Sequence, residues 1–224
     1  MQEYAIIVAG GSGNRMKSEV PKQFLKINGL PILMHTINAF RNYSESLKIV
    51  LVLPNSQINY WKQLCADHLF SITYTLVAGG DSRFASVKNG LKSIQGNDGL
   101  AAVHDGVRPV ISKEIIAASF AKAADQGSAV TSVPLKDSIR KVEANGENAA
   151  MNRSAFQLIQ TPQTFRLDWM QKAFEMGYND QFTDCASVLE AAGYPIHLIS
   201  GSYENIKITT PEDLRWAEIY LQKN

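Results

Sequence analysis

The chain has 224 residues, 45% of them hydrophobic and 19% charged, with a formal net charge of +1 at pH 7. These values predict one globular domain, residues 1–224, that is large enough to bury a full hydrophobic core. They argue against nucleic-acid binding, because the basic residues are dispersed, and against a membrane span, because no apolar run approaches the roughly 18 residues that a span needs.

Apolar runs rich in Ile and Val alternate with segments of helical periodicity. The predicted strands are Tyr4–Ala9, Leu47–Leu53, Tyr74–Ala78, Leu100–His104 and Ala129–Val133. The predicted helices between them are Pro31–Asn42, Ser56–Phe70, Ser82–Ile94 and Lys113–Gln126. This alternation is typical of a three-layer α/β fold with a mostly parallel sheet and right-handed crossovers. Since ligands bind at the carboxyl ends of such strands, the loops Gly10–Lys22, Ala78–Arg83 and His104–Pro109 should share one rim.

The first predicted strand runs into a glycine-rich loop, AIIVAGGSGNRMKSEVPKQFL over residues 5–25. Its glycines let the backbone N–H groups approach an anion closely, and Arg15 and Lys22 add positive charge. A dinucleotide fingerprint would need a small residue where Met16 stands, and a P-loop would end in Gly-Lys-Ser/Thr, which is absent. The loop therefore predicts a polyphosphate site of another kind, with a purely geometric strand-to-helix turn as the alternative.

The alternation breaks in residues 135–160, which read as two short extended segments around the turn Ala144-Asn145-Gly146. Apolar residues alternate there, for example Ile139, Val142 and Phe156, and the parent domain could hardly bury them. We therefore expect a projecting β-hairpin arm that packs on a second subunit, with a plain surface hairpin as the alternative.

The rest of the chain returns to mixed elements. Predicted are helices at Leu167–Met176 and Asp184–Ala192, strands at Ile196–Ser200 and Asn205–Ile208, and a closing helix from Thr210. The two cysteines, Cys65 and Cys185, lack metal-ligand spacing and are expected as free thiols. Met1-Gln2-Glu3 is not a basic leader, so we expect a cytoplasmic protein.

Seven short motifs follow one another in an order that resembles one enzyme family. They are AGGSGNRM (9–16), VPKQFL (20–25), GGDSRFASVKNGL (79–91), VHDGVRP (103–109), TPQTF (161–165), TDCAS (183–187) and NIKITTPEDL (205–214). Over nearly its whole length the chain resembles the 2-C-methyl-D-erythritol 4-phosphate cytidylyltransferases of isoprenoid precursor synthesis.

The resemblance implies a Rossmann-like, nucleotide-diphospho-sugar transferase-like fold and a homodimer that transfers CMP from CTP to the polyol phosphate. Mg²⁺, or another divalent cation, would be bound at Asp105. Arg15 and Lys22 would stabilise the charge on the reacting phosphates. Lys207 would hold the acceptor phosphate, together with Arg153 acting across the dimer interface.

The other implied contacts form two sets. The nucleotide-binding set comprises Ala9, Gly10, Gly11, Ser12, Gly13, Gly79, Gly80, Asp81 and Ser86. The acceptor-binding set comprises Arg108, Thr161, Thr183 and Asp184. Each acceptor-binding residue alone could also be an ordinary turn or cap residue, and Asp81 could be the N-cap of the following helix. Arg83 is then an exposed or paired charge, and His104 is given no role.

One position departs from the family pattern, because an acidic residue usually follows Thr-Asp and this chain has Cys185. If a carboxylate there helps to hold the polyol hydroxyls, the substitution affects acceptor affinity or selectivity. Two alternatives stay open. The related D-ribitol 5-phosphate cytidylyltransferases share several motifs, although Ser187 favours the methylerythritol group. The second alternative is a non-catalytic nucleotide-binding protein. The chain retains cations for both reacting phosphates, which argues against it.

Overall fold

The computed structural model describes residues 1–10 and 20–222, and within them a seven-stranded sheet carries helices on both faces. The strands are β1 (Glu3–Val8), β2 (Lys26–Ile27), β3 (Leu30–Pro31), β4 (Lys48–Leu53), β5 (Thr75–Ala78), β6 (Leu100–Asp105), β7 (Ser128–Pro134), β8 (Ile139–Val142), β9 (Asn148–Met151), β10 (Gln157–Arg166) and β11 (Leu198–Ser200). The helices are α1 (Ile32–Tyr43), α2 (Ile58–Asp67), α3 (Arg83–Lys92), α4 (Lys113–Gln126), α5 (Leu167–Ala173), α6 (Cys185–Ala191) and α7 (Pro211–Gln222). None of these helices is long and apolar enough to cross a bilayer.

The sheet has the order β11-β7-β10-β6-β1-β4-β5 and is parallel except for β10, which runs antiparallel to both of its neighbours. Strands β1, β4 and β6 are apolar along most of their length because both of their faces are covered. On one face, Ile6 belongs to an apolar cluster with Val87 of α3. On the other, Ile7 clusters with Ile37 of α1 and Phe120 of α4. This confirms the predicted three-layer, mostly parallel α/β architecture.

Strand β10 is the main element that local periodicity does not predict. It is inserted between β6 and β7, where it pairs Leu158 with Val133 and Gln163 with Val103. Because β10 begins at Gln157, the hairpin is shorter than the segment 135–160 expected from the sequence. The segment Asn205–Ile208 does not form the predicted strand. The segment is instead held by separate hydrogen bonds, from Ile208 N to Val107 O at 2.9 Å and from Asn205 Nδ2 to Thr161 O of β10 at 2.8 Å.

The hairpin consists of β8 and β9, which in the described part of the chain form a separate two-stranded sheet. Gly146 adopts φ +87° in the connecting turn, a conformation that glycine reaches without steric cost. Val142 is 67% exposed, and Met151 and Phe156 are also exposed. The predicted arm is therefore present, with its apolar side chains uncovered in the single chain.

Candidate active site

A cleft lies at the carboxyl ends of β1, β5 and β6, and it encloses about 730 Å³, including space open to solvent. Its walls include Gly10 after β1, Gly80 and Arg83 after β5, and Asp105 at the end of β6. Lys207 also lines the cleft. The prediction that the three loops share one rim is thus confirmed for their described residues.

Asp105 is the electrostatic centre of this cleft. Its carboxylate lies 3.6 Å from Arg83 Nε, 3.4 Å from Arg108 Nε and 3.0 Å from Lys207 Nζ. Burial alone would raise the pKa of Asp105, but Arg83, Lys207 and Arg108 together hold it well below its usual range. The carboxylate is therefore ionised at neutral pH. Three positive charges face one negative charge, which leaves a net charge of +2 on these four side chains and favours an anionic ligand.

Lys22 is placed in the cleft by a short rigid segment. Pro21, whose φ is −54°, immediately precedes the single 3₁₀ turn Lys22–Phe24. Gln23 fastens this turn to the end of the first strand, since its Nε2 donates to Ala9 O at 2.9 Å. Lys22 is only 9% exposed, so its ammonium group is held near the reacting end of the sheet.

The loop after β5 requires small residues because it packs tightly against α3. A Cβ on Gly80 would lie 2.5 Å from Ala85 Cβ, and one on Gly79 would lie 2.9 Å from Ser86 Oγ. Gly80 N donates to Ser86 Oγ at 3.1 Å, which fixes the loop shape. The N-cap of α3 is Ser82, whose hydroxyl accepts from Ala85 N, rather than Asp81. Asp81 is therefore left exposed at the wall of the cleft.

His104, to which the sequence assigns no role, organises the turn that carries Asp105. Burial lowers the pKa of His104 to about 4, so its ring is neutral at pH 7. Its Nε2 lies 3.1 Å from Arg108 O and can only donate there, so Nδ1 must accept a bond from the Thr161 hydroxyl, 3.1 Å away. Thr161 Oγ1 in turn accepts from Asp105 N at 3.1 Å. The imidazole thereby fixes both ends of the turn.

This buried histidine predicts a pH-dependent stability. The pKa of His104 is about 4 in the folded state and about 6.5 in an unfolded chain. Between these values the unfolded state binds more protons, so stability should fall as the pH is lowered through this window, by at most about 1.4 kcal/mol per pH unit. Urea unfolding of His104→Gln between pH 7 and pH 4 should show a shallower slope than wild type. Identical slopes would contradict this assignment.

The predicted acceptor-binding residues differ in how far they can reach a ligand. Arg108 is buried, and its Nη1 donates to Asn205 O at 2.7 Å. Thr161 is buried in the His104 network. Asp184 caps α6 by accepting from Ser187 N at 2.9 Å. Thr183 is exposed beside it. In this chain the site is therefore supported by the internal contacts of Arg108, Thr161 and Asp184, whereas Thr183 is accessible to a ligand.

The remaining predicted residues lie elsewhere. Arg15, Gly11, Ser12 and Gly13 fall outside the described residues. Arg153 belongs to the base of the arm, where it is exposed and donates to Lys136 O. Among the described residues that line the cleft, Arg153 is absent.

Arg83 is the residue that sequence reasoning missed. It is the first residue of α3, lines the cleft, and contacts both Asp105 and Cys185. Its place directly after Gly-Gly-Asp-Ser, at the predicted start of a helix on the rim, was the available signal. Ser187, which in the sequence favours the methylerythritol group, completes the capping box of α6.

Comparison with known proteins shows one family throughout. Residues 4–223 match the family model described as 2-C-methyl-D-erythritol 4-phosphate cytidylyltransferase. Proteins of that description from Porphyromonas gingivalis and Bacteroides fragilis are 48% and 45% identical, over 98% and 97% of this chain and 98% of each relative. The Francisella tularensis enzyme structure has a TM-score of 0.81 at 31% identity, covering 98% of this chain and 100% of that one. A 4-diphosphocytidyl-2C-methyl-D-erythritol synthase from Anaerococcus prevotii has a TM-score of 0.84 at 27% identity, covering 99% and 98%.

Proposed function

Because the chain belongs to the 2-C-methyl-D-erythritol 4-phosphate cytidylyltransferase family, we propose that it transfers CMP from CTP to 2-C-methyl-D-erythritol 4-phosphate and releases pyrophosphate. The observation that carries this proposal is the cleft that Lys22, Arg83 and Lys207 line together with Asp105. The reaction brings a phosphate monoester and a triphosphate together, and these side chains supply the charge that the pair requires.

The chemistry needs charge and alignment more than proton transfer. The acceptor phosphate has a second pKa of about 6, so it is largely ionised at pH 7 and attacks the α-phosphorus of CTP without a general base. The P–O bond to the leaving pyrophosphate breaks as the new P–O bond forms. Lys22 stabilises the negative charge that spreads over the transferred group and the leaving oxygens. Lys207 orients the acceptor phosphate.

Mg²⁺ is part of the proposal. Within residues 1–10 and 20–222, no three His, Cys, Asp or Glu side chains lie close enough to form a metal site by themselves. The single ionised carboxylate of Asp105 nevertheless fits Mg²⁺, which is often held by one carboxylate together with substrate phosphates and waters. A metal ion bound there would neutralise charge on the triphosphate.

The proposed enzyme is a homodimer. The arm and the start of β10 leave Val142, Phe156, Leu158 and other apolar side chains exposed, and a second copy that packs there would cover them. Arg153 lies at the base of the arm and outside its own cleft, so the dimer would bring it to the partner's acceptor phosphate.

Pyrophosphate release measured with CTP and each candidate acceptor tests this function. Release that requires both CTP and 2-C-methyl-D-erythritol 4-phosphate supports it. Binding of CTP without release, whichever polyol phosphate is added, would instead support a nucleotide-binding protein without this activity.

We expect a preference for 2-C-methyl-D-erythritol 4-phosphate over D-ribitol 5-phosphate. The two acceptors share the phosphate that the cations bind, and they differ in chain length and one methyl branch. Such differences are typically worth about 1–3 kcal/mol, so kcat/KM should favour the methylerythritol substrate by about tenfold or more. A higher kcat/KM for ribitol 5-phosphate would reassign the enzyme to the related ribitol group.

A further inference from the structure

Arg83 lies between the nucleotide side of the cleft and the start of α6. It lines the main cleft together with Gly80 and Ser86, and it also lines a smaller adjoining pocket beside Thr183 and Asp184. Its side chain is 30% exposed. A permanently charged guanidinium at this boundary can reach a ligand in the cleft without moving away from its helix.

The acidic neighbours of Arg83 are also bound to other groups. Its Nη1 donates to Cys185 Sγ at 3.4 Å. Burial raises the pKa of the Cys185 thiol, although Arg83 acts in the opposite direction, so the thiol is uncharged at neutral pH. Asp184 also acts on Arg83 electrostatically, but its carboxylate oxygens accept bonds from Ser187 N and Gln163 Nε2, at 2.9 and 2.8 Å. Asp105 is shared with Arg108 and Lys207.

Arg83 and Lys207 approach the two different oxygens of the Asp105 carboxylate. Arg83 Nε lies 3.6 Å from Oδ1, and Lys207 Nζ lies 3.0 Å from Oδ2. The two cations therefore flank a single small anionic group, as they would flank a phosphate. Within the described part of the chain, Nη2 of Arg83 makes no hydrogen bond or ion pair, so the guanidinium retains a donor for a second oxygen.

On the basis of the proposed function, we propose that Arg83 binds the phosphate of the polyol acceptor together with Lys207. The acceptor is favoured over the triphosphate because the guanidinium contacts the start of α6 and lines the pocket beside the exposed Thr183. The neutral Cys185 leaves the charge of Arg83 available to this phosphate.

Steady-state kinetics of Arg83→Gln, Arg83→Lys and Lys92→Gln test the assignment. Lys92→Gln is the matched control, because it removes one positive charge from the exposed far end of the same helix. Arg83→Gln should raise KM for 2-C-methyl-D-erythritol 4-phosphate by about tenfold or more while changing KM for CTP less than about threefold. Arg83→Lys should recover part of the loss, and Lys92→Gln should match wild type.

Direct binding separates this assignment from the proposed function. Calorimetric titration of the polyol phosphate, with a non-hydrolysable CTP analogue present, should show the same loss of affinity in Arg83→Gln. If wild type binds the acceptor without turnover and Arg83→Gln loses that binding, the function fails and the Arg83 assignment stands. An unchanged acceptor affinity in folded Arg83→Gln, or an equal rise in both KM values, would overturn the assignment.

Discussion

Lys22→Ala should lower kcat by about a hundredfold or more, because it removes a preorganised positive charge from the group that is being transferred. The nearly buried side chain and the rigid Pro21 support this role, since they hold the ammonium group in a fixed position that a mobile surface lysine would not occupy. Lys22→Gln, which keeps most of the side-chain length, should lose activity to a similar extent. Arg15→Ala, at a position outside the described residues, should lower kcat to a similar extent if its motif has the expected role.

Lys26→Ala is the matched control for Lys22, because it removes an exposed lysine four positions further along the chain. It should retain wild-type kcat. Thermal unfolding of all the variants shows whether the fold is intact. Wild-type turnover by folded Lys22→Gln would remove Lys22 from the mechanism.

Arg153→Ala should also reduce activity strongly, and mixing it with Lys22→Ala should restore part of the activity. In a mixed dimer whose sites each combine Lys22 of one chain with Arg153 of the other, one site is intact and the other carries both substitutions. Random exchange gives half mixed dimers, so activity should return to about a quarter of wild type. Pyrophosphate release, measured before and after subunit exchange, gives this recovery.

The control for this experiment is each variant taken alone through the same exchange procedure, which should remain inactive. Mass spectrometry of differently tagged chains verifies that mixed dimers have formed. Mixed dimers without recovered activity would show that Arg153 serves its own chain or does not serve catalysis. A monomer in solution would contradict the proposed role of the arm.

The parts of the fold that bury continuous apolar runs could be predicted from the sequence. The helix Lys113–Gln126 was predicted with its observed bounds, and β1, β4 and β6 were predicted within about one residue of theirs. Strand β10 was not predicted, because it buries polar side chains whose partners are distant in sequence. Thr164 Oγ1, for example, donates to Ser119 Oγ at 3.0 Å, a contact between positions 45 residues apart. The local pattern of apolar residues cannot predict a hydrogen bond between positions so far apart in sequence.

The same distinction between local signals and long-range contacts explains which residues of the candidate site were predicted. Lys22 and Asp105 were predicted because each stands next to a chain-local signal, a proline in one case and a strand end in the other. Lys207 was implied by the family motif alone. Arg83 was missed because its local signal, the place after Gly-Gly-Asp-Ser, does not reveal the contacts made by folding, including one with Cys185, 102 residues away. His104 likewise gains its role from Thr161, 57 positions further along the chain.

Phosphorus NMR of the reaction mixture tests the transfer of CMP most directly. With CTP, Mg²⁺ and 2-C-methyl-D-erythritol 4-phosphate, the account predicts two mutually coupled phosphorus signals from a new diphosphate that links the cytidine and the polyol, together with one equivalent of pyrophosphate. The signal of the acceptor monophosphate should disappear in step with them. Pyrophosphate that appears together with free CMP, while the acceptor signal is unchanged, would mean hydrolysis and contradict the proposed transfer.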